Sequence, residues 1–160
     1  MNISFIGAGN VAWHLAPALD NTDYGVREVF SRRAMHASAL AARLYQAQVM
    51  DSLDFSESHS DVFIIAVSDD AIEEVANEII LPENAILAHT SGTQPLRILS
   101  SAATPNIGVL YPLQTFSKNK KVEFKDIPFF IESENKETET TLSKIAKAIT
   151  KKVYTCSSDD

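Results

Sequence analysis

The sequence predicts an α/β fold, a doubly wound and mainly parallel sheet with helices on both faces. Three observations predict it. Short apolar runs alternate with stretches of helical period along most of the 160 residues, which is the pattern of β-α-β units. The run "VFIIAV", residues 62 to 67, has no polar alternation, as a parallel strand buried on both faces requires. A glycine-rich turn, "GAGN" at residues 7 to 10, separates the first apolar run from the first helical stretch.

The elements follow in order. Residues 2–6 form a first strand and 10–20 a helix, in which Pro17 removes one backbone bond and kinks the axis unless the helix is shorter. A strand at 26–31, a helix at 33–45 and a strand at 47–50 come next, then the central strand at 61–67. The helix at 71–80 opens with Asp70-Ala71-Ile72-Glu73, a capping box in which Asp70 is the expected cap. Strands at 85–89, 106–110 and 128–131 follow, with a short helix at 95–100. The final helix, 137–151, places Leu142, Ile145, Ala146 and Ile149 at i, i+3, i+4, i+7 spacing. Its Glu-rich start and Lys-rich end suit the helix dipole. The most loop-like stretch is "SKNKKVEFKD", residues 117–126, whose four lysines are either solvated or within reach of a phosphate.

Composition bounds the function. At 45% apolar and 22% charged residues the chain is globular and large enough for a core of its own. A net charge of −7 disfavours nucleic acid, whose phosphates reward basic surfaces. The single Cys156 forms no internal disulfide and, with no His cluster at ligand spacing, no metal site is expected; a reducing cytoplasm fits. No basic, long-apolar leader opens the chain, and no apolar run approaches the roughly 20 residues of a membrane helix, so no membrane is expected as partner.

Gly7-Ala8-Gly9-Asn10-Val11-Ala12 matches G-x-G-x-x-A after a strand and before a helix, the context of a Rossmann-type dinucleotide site. Gly7 would permit the tight turn, Gly9 the approach of a pyrophosphate, and Ala12 close helix-on-strand packing. The bland alternative is a turn that needs glycine for geometry alone. About 20 residues on, where an acidic residue would take a ribose 2′-hydroxyl, stand Ser31-Arg32-Arg33. Glu28, the nearest carboxylate, falls inside the strand. Arginine suits a 2′-phosphate, so NADP is favoured over NAD, against the alternative of two surface arginines at a helix start.

In such sheets ligands lie beyond the carboxyl ends of the strands. The fourth strand ends in Val67-Ser68-Asp69, candidates for the nicotinamide side. The fifth ends in His89-Thr90-Ser91-Gly92, where the imidazole suits proton transfer near neutral pH, unless it serves only a hydrogen-bonded turn. His89, Ser68 and Ser91 are the candidate catalytic groups. The sixth runs into "YPLQTF", where Tyr111 and Gln114 are candidates for substrate contact or for packing.

With "FIGAGNVAWHLA", "FSRR", "IIAVSDDAI", "HTSG" and "YPLQTF" in this order, the chain resembles a bacterial family of Rossmann-like candidate NADP oxidoreductases. That family is similar to pyrroline-5-carboxylate reductase, deazaflavin-dependent NADP oxidoreductases and the 3-hydroxyisobutyrate and 6-phosphogluconate dehydrogenases. The resemblance implies a cofactor site at Gly7 to Val11 and Ser31 to Arg33, with the Ser68 and His89 loops toward the reaction centre. It further implies hydride transfer between NADP and a small carbonyl, imine or hydroxy-acid substrate; a non-catalytic dinucleotide sensor or interaction module is the alternative. Family members carry a helical C-terminal half that closes the cleft and often makes a homodimer. Residues 1–155 are therefore expected to be the NAD(P)-binding domain and 156–160 the start of that half or a tail. In the similar dehydrogenases the catalytic lysine comes from the helical half, so the resemblance supports cofactor binding by this chain more directly than turnover.

Overall fold

A computed structural model describes residues 1–156. Of the expected start of a further half or tail, 156–160, residues 157–160 lie outside the described residues. Among these residues β1 (Asn2–Ile6), β2 (Gly25–Phe30), β3 (Gln48–Met50), β4 (Val62–Ile65), β5 (Ile86–His89), β6 (Ile107–Pro112), β7 (Phe129–Glu132) and β8 (Val153–Thr155) form one sheet. Its order is β3-β2-β1-β4-β5-β6-β7-β8. All neighbours pair in parallel except β6 and β7, which are antiparallel. The fold is the α/β, Rossmann-like one that the alternation of elements predicts.

The apolar run at 62–67 places β4 in mid-sheet, and the alternation of its side chains divides the core in two. Val62 and Ile64 pack with Ile3 and Phe5 under helices α1 (Asn10–Asp20), α2 (Ala34–Ala41) and α4 (Lys136–Lys147). Phe63 and Ile65 pack on the other face with Ile72 and Val75 of helix α3 (Asp69–Glu78) and with Leu99 of the 3₁₀ turn Leu96–Leu99. The chain order reverses between β1 and β4, so a crevice opens at the carboxyl ends of those strands.

Pro17 lies inside α1 without shortening it. Proline has no N–H to offer the carbonyl four residues back. The carbonyl of Trp13 instead accepts a hydrogen bond from Nη1 of Arg43. A side chain from beyond α2 thus supplies the donor that the proline removes.

Three helices have boundaries that differ from the sequence reading. α2 stops at Ala41 rather than 45, because Arg43 N and Leu44 N bond to Leu40 O and Ala41 O, three residues back, and tighten the turn. α3 begins at Asp69, so Ser68 and not Asp70 is its cap position. Asp69 and Asp70 both fall in the first turn, where the helix dipole favours carboxylates. α4 starts at Lys136 behind Asn135, whose side chain accepts from Thr138 N, and ends at Lys147 rather than 151. Thr150 Oγ1 then donates to Ile127 O at 2.6 Å, and the chain enters β8, an element absent from the sequence reading. A three-residue edge strand has too little period of its own; its pairing with Phe129 to Ile131 defines it. Within the expected loop, Phe124–Asp126 forms a 3₁₀ turn that buries Phe124.

Candidate functional site

The glycine turn is held by local geometry. Gly7 has φ +109°, and its N–H donates to Phe30 O at 2.7 Å, locking the end of β1 to β2. A Cβ on Gly7 would stand 2.3 Å from Ala66 O. Gly9 differs: it occupies the cap position of α1 in an extended conformation, and a Cβ there would meet nothing within 4 Å. The turn therefore needs Gly7 to fold, whereas Gly9 leaves open space in front of the helix. Among the described residues no side chain caps α1 and no acidic residue enters its first turn, so its amino end offers free amides and positive dipole to an anion. Ala12, fully buried, lets the helix lie close to the sheet.

Gly7, Ala8, Gly9, Asn10 and Val11 line a cleft of about 490 Å³ together with Ser31, Arg32, Val67 and Ser68. Its volume falls within the range of small-molecule and cofactor sites. Ile6, Phe30, Ala66, Ala71 and Val75, which the sequence reading did not single out, complete the walls. They read as ordinary core residues along the chain, and only the reversal of strand order brings them to the crevice.

Arg32 is exposed at the rim and its Nη2 reaches Glu78 at 3.0 Å and Glu74 at 3.4 Å on α3. The Glu78 hydrogen bond raises its pKa further, so it stays charged. Arg33 is the cap position of α2, exposed and outside the cleft lining; Ser31 Oγ accepts from its N–H at 3.2 Å. Glu28 faces away from this cleft: its Oε1 accepts from the hydroxyls of Ser58 at 2.5 Å and Ser4 at 2.6 Å.

At the ends of β4 and β5 the first turn of α3 and the loop after β5 are tied together. Thr93 Oγ1 donates to Asp69 Oδ2 at 2.6 Å, so Asp69 braces the loop after β5 and does not line the cleft. Ser91 Oγ accepts from the amides of Thr93 and Gln94, both at 3.1 Å. His89 is fully buried. Its Nδ1 accepts from Ser91 N at 3.0 Å and its Nε2 lies 3.2 Å from Pro95 O. Since an amide can only donate and a carbonyl only accept, the proton belongs on Nε2. The imidazole closes the loop after β5 and opens to neither cleft. Thr90 is buried beside it.

Burial holds His89 below its ordinary pKa, against the smaller upward pulls of Pro95, Asp69 and Glu132. The unfolded chain then takes up a proton that the folded chain refuses, so stability falls as pH drops below about 6.5. Urea midpoints are expected to be lower at about pH 5.5 than at about pH 7.5, with part of that fall absent in His89→Gln.

A second cleft of about 490 Å³ lies beyond β5 and β6, lined by Ser91, Thr93, Gln94, Tyr111, Leu113 and Phe130 among others. Tyr111 stacks on Phe130, and Phe130 on Tyr154, with centroids 6.4 and 5.5 Å apart. The Tyr111 ring also lies over Gly92, where a Cβ would meet it at 2.3 Å. Gln114 is exposed and outside this lining. Among the described residues no cluster of His, Cys, Asp and Glu could hold a metal ion, and no helix is long and apolar enough to cross a membrane.

Residues 2–91 match the family described as NADP oxidoreductase, coenzyme F420-dependent. Among solved structures, a candidate NADP oxidoreductase, BF3122 from Bacteroides fragilis, is 35% identical with a TM-score of 0.88, covering 99% of this chain and 61% of that one. Protein TM1727 from Thermotoga maritima is 24% identical with a TM-score of 0.76, covering 98% and 57%. The prephenate dehydrogenase of A. aeolicus, solved with hydroxyphenyl propionate and NAD+, is 11% identical with a TM-score of 0.83, covering 98% and 60%, a likeness of fold. The chain thus spans about three fifths of the length of these structures. Among curated proteins, none matches.

Proposed function

Because this chain belongs to the NADP oxidoreductase family that its residues 2–91 match, we propose that it is the cofactor-binding part of a cytoplasmic NADP-dependent oxidoreductase. Its substrate is a small carbonyl, imine or hydroxy acid. One observation carries the reading: the space in front of Gly9, beside the uncapped amino end of α1 and the Arg32 rim, at the crevice where strand order reverses. The nicotinamide dinucleotide supplies hydride chemistry when bound.

The chain's own residues do the rest. Gly9 and the first amides of α1 hold the pyrophosphate. Ser31, Arg32 and Arg33 take the adenosine ribose and its 2′-phosphate; Arg32 exchanges its carboxylate partners for the phosphate. Val67 and Ser68 wall the nicotinamide side, while Asp69 and Thr93 hold the start of α3 and the loop after β5 in register. Ser91 and Tyr111 face substrate from the second cleft.

The test is a fluorescence titration of the chain with NADPH and NADH at fixed ionic strength. Saturable binding, tighter for NADPH, is expected. Equal affinities would remove the NADP preference, and no binding of either would overturn the cofactor reading.

The buried, doubly bonded His89 favours a second reading, a dinucleotide-binding module without turnover, because the most suitable proton carrier at the strand ends is occupied with structure. Oxidation of bound NADPH by any of a panel of small carbonyls and imines would exclude it.

A further inference from the structure

The lysine-rich loop after β6 is docked on α1, and together they form a cavity that the dinucleotide site does not use. Its volume is about 400 Å³, and it shares no lining residue with the cleft at the glycine turn. It lies on the flank of α1 opposite the buried stripe Ala12, Leu15, Ala16 and Leu19. The loop is anchored from both ends: His14 Nε2 lies 2.6 Å from Ser117 O, and Phe116 stacks on His14 and packs on the buried Phe124.

Among the described residues four cations line the cavity, Arg43, Lys118, Lys120 and Lys121, and no acidic side chain does. Among the described residues none of the four pairs with a carboxylate, in a chain whose net charge is −7. Arg43 is fixed in place by the Trp13 carbonyl that Pro17 leaves free, with its guanidinium 4.1 Å from the Trp13 ring centroid. Lys118 Nζ lies 5.1 Å from the same centroid. Like charges gathered around one concave surface repel one another, and an anion between them removes that repulsion.

We propose that this cavity is a second anion site, for a small molecule carrying several phosphate groups. A single charge would leave most of the cations uncompensated, and the overall negative charge of the chain disfavours a nucleic acid strand. Arg43 supplies a fixed planar fork for one phosphate and the three lysines supply mobile point charges for the others.

Trp13 is the chain's single tryptophan, so its fluorescence reports on this cavity. The probe is inorganic tripolyphosphate, titrated at fixed ionic strength into the chain, into Lys118→Gln with Lys121→Gln, and into Arg32→Ala with Arg33→Ala. The lysines are exposed and their variants should fold. A saturable change in Trp13 emission is expected, weakened about ten-fold or more by the lysine changes and unaltered by the arginine changes. An absent or unsaturable response, or one that survives the lysine changes, would overturn the proposal. Loss in the Arg32 and Arg33 variant instead would place the anion in the dinucleotide cleft and overturn it equally.

Discussion

Gly7→Ala is expected to lose about 2–6 kcal/mol of folding stability, a large share of a typical domain's total of about 5–15 kcal/mol. Two costs combine. The backbone at Gly7 has φ +109°, a conformation that side-chain-bearing residues rarely adopt, and the added Cβ would stand 2.3 Å from Ala66 O and 2.9 Å from a Val67 methyl. The first obstacle is backbone immediately after β4, the strand next to β1, so it cannot swing aside as the end of a flexible side chain would. Gly9→Ala makes the contrast. Gly9 has φ −85° and open space around it, so its stability should change by less than about 0.5 kcal/mol. Its NADPH affinity should fall at least about ten-fold, because the methyl occupies the space reserved for the pyrophosphate. Urea denaturation and cofactor titration on the two variants separate the roles. Stability loss at Gly9, or unchanged binding there, would sink the division.

Replacing Arg32 and Arg33 together by alanine is expected to weaken NADPH by roughly 10- to 150-fold while changing NADH little, since a charge-assisted phosphate contact contributes about 1.5–3 kcal/mol. Stability should hardly move. Arg32 is about half exposed, as are Glu74 and Glu78, and such surface pairs contribute about 0–1 kcal/mol. Those same carboxylates set which end of the range applies: they compete with the 2′-phosphate for the guanidinium, so the loss should lie toward the smaller values. Dissociation constants for both cofactors, measured on wild type and variant, give the ratio directly. An equal loss for NADPH and NADH would end the 2′-phosphate assignment.

The legible parts of this protein are those whose cause is local. The glycine turn could be read because the backbone conformation at Gly7 and the open space at Gly9 belong to consecutive residues. The arginines after β2 were legible by their distance along the chain, but the tie of Arg32 to α3 was not, because Glu74 and Glu78 are more than 40 residues away. His89 stood out as a titratable group at a strand end. Its enclosure, with Pro95 and Ser91 taking both nitrogens, depends on how the following loop turns back. The lysines at 118 to 121 read as a solvated loop, and nothing near them in sequence announces Trp13 or Arg43.

The sequence by itself determined the α/β class, the place of the apolar run at 62–67 in the middle of the sheet and the strand-turn-helix around Gly7 and Gly9, since periodicity and glycine geometry act over a few neighbouring residues. Tertiary structure decided the rest. β8 exists through its pairing with β7, α1 continues through Pro17 beside an arginine from beyond α2, and His89 is closed off by its own loop. In the first two cases backbone polar groups find hydrogen-bond partners in a distant segment, and in the third the partners are near in sequence but reach the imidazole only through the turn of the loop, so the local sequence carries no trace of any of them.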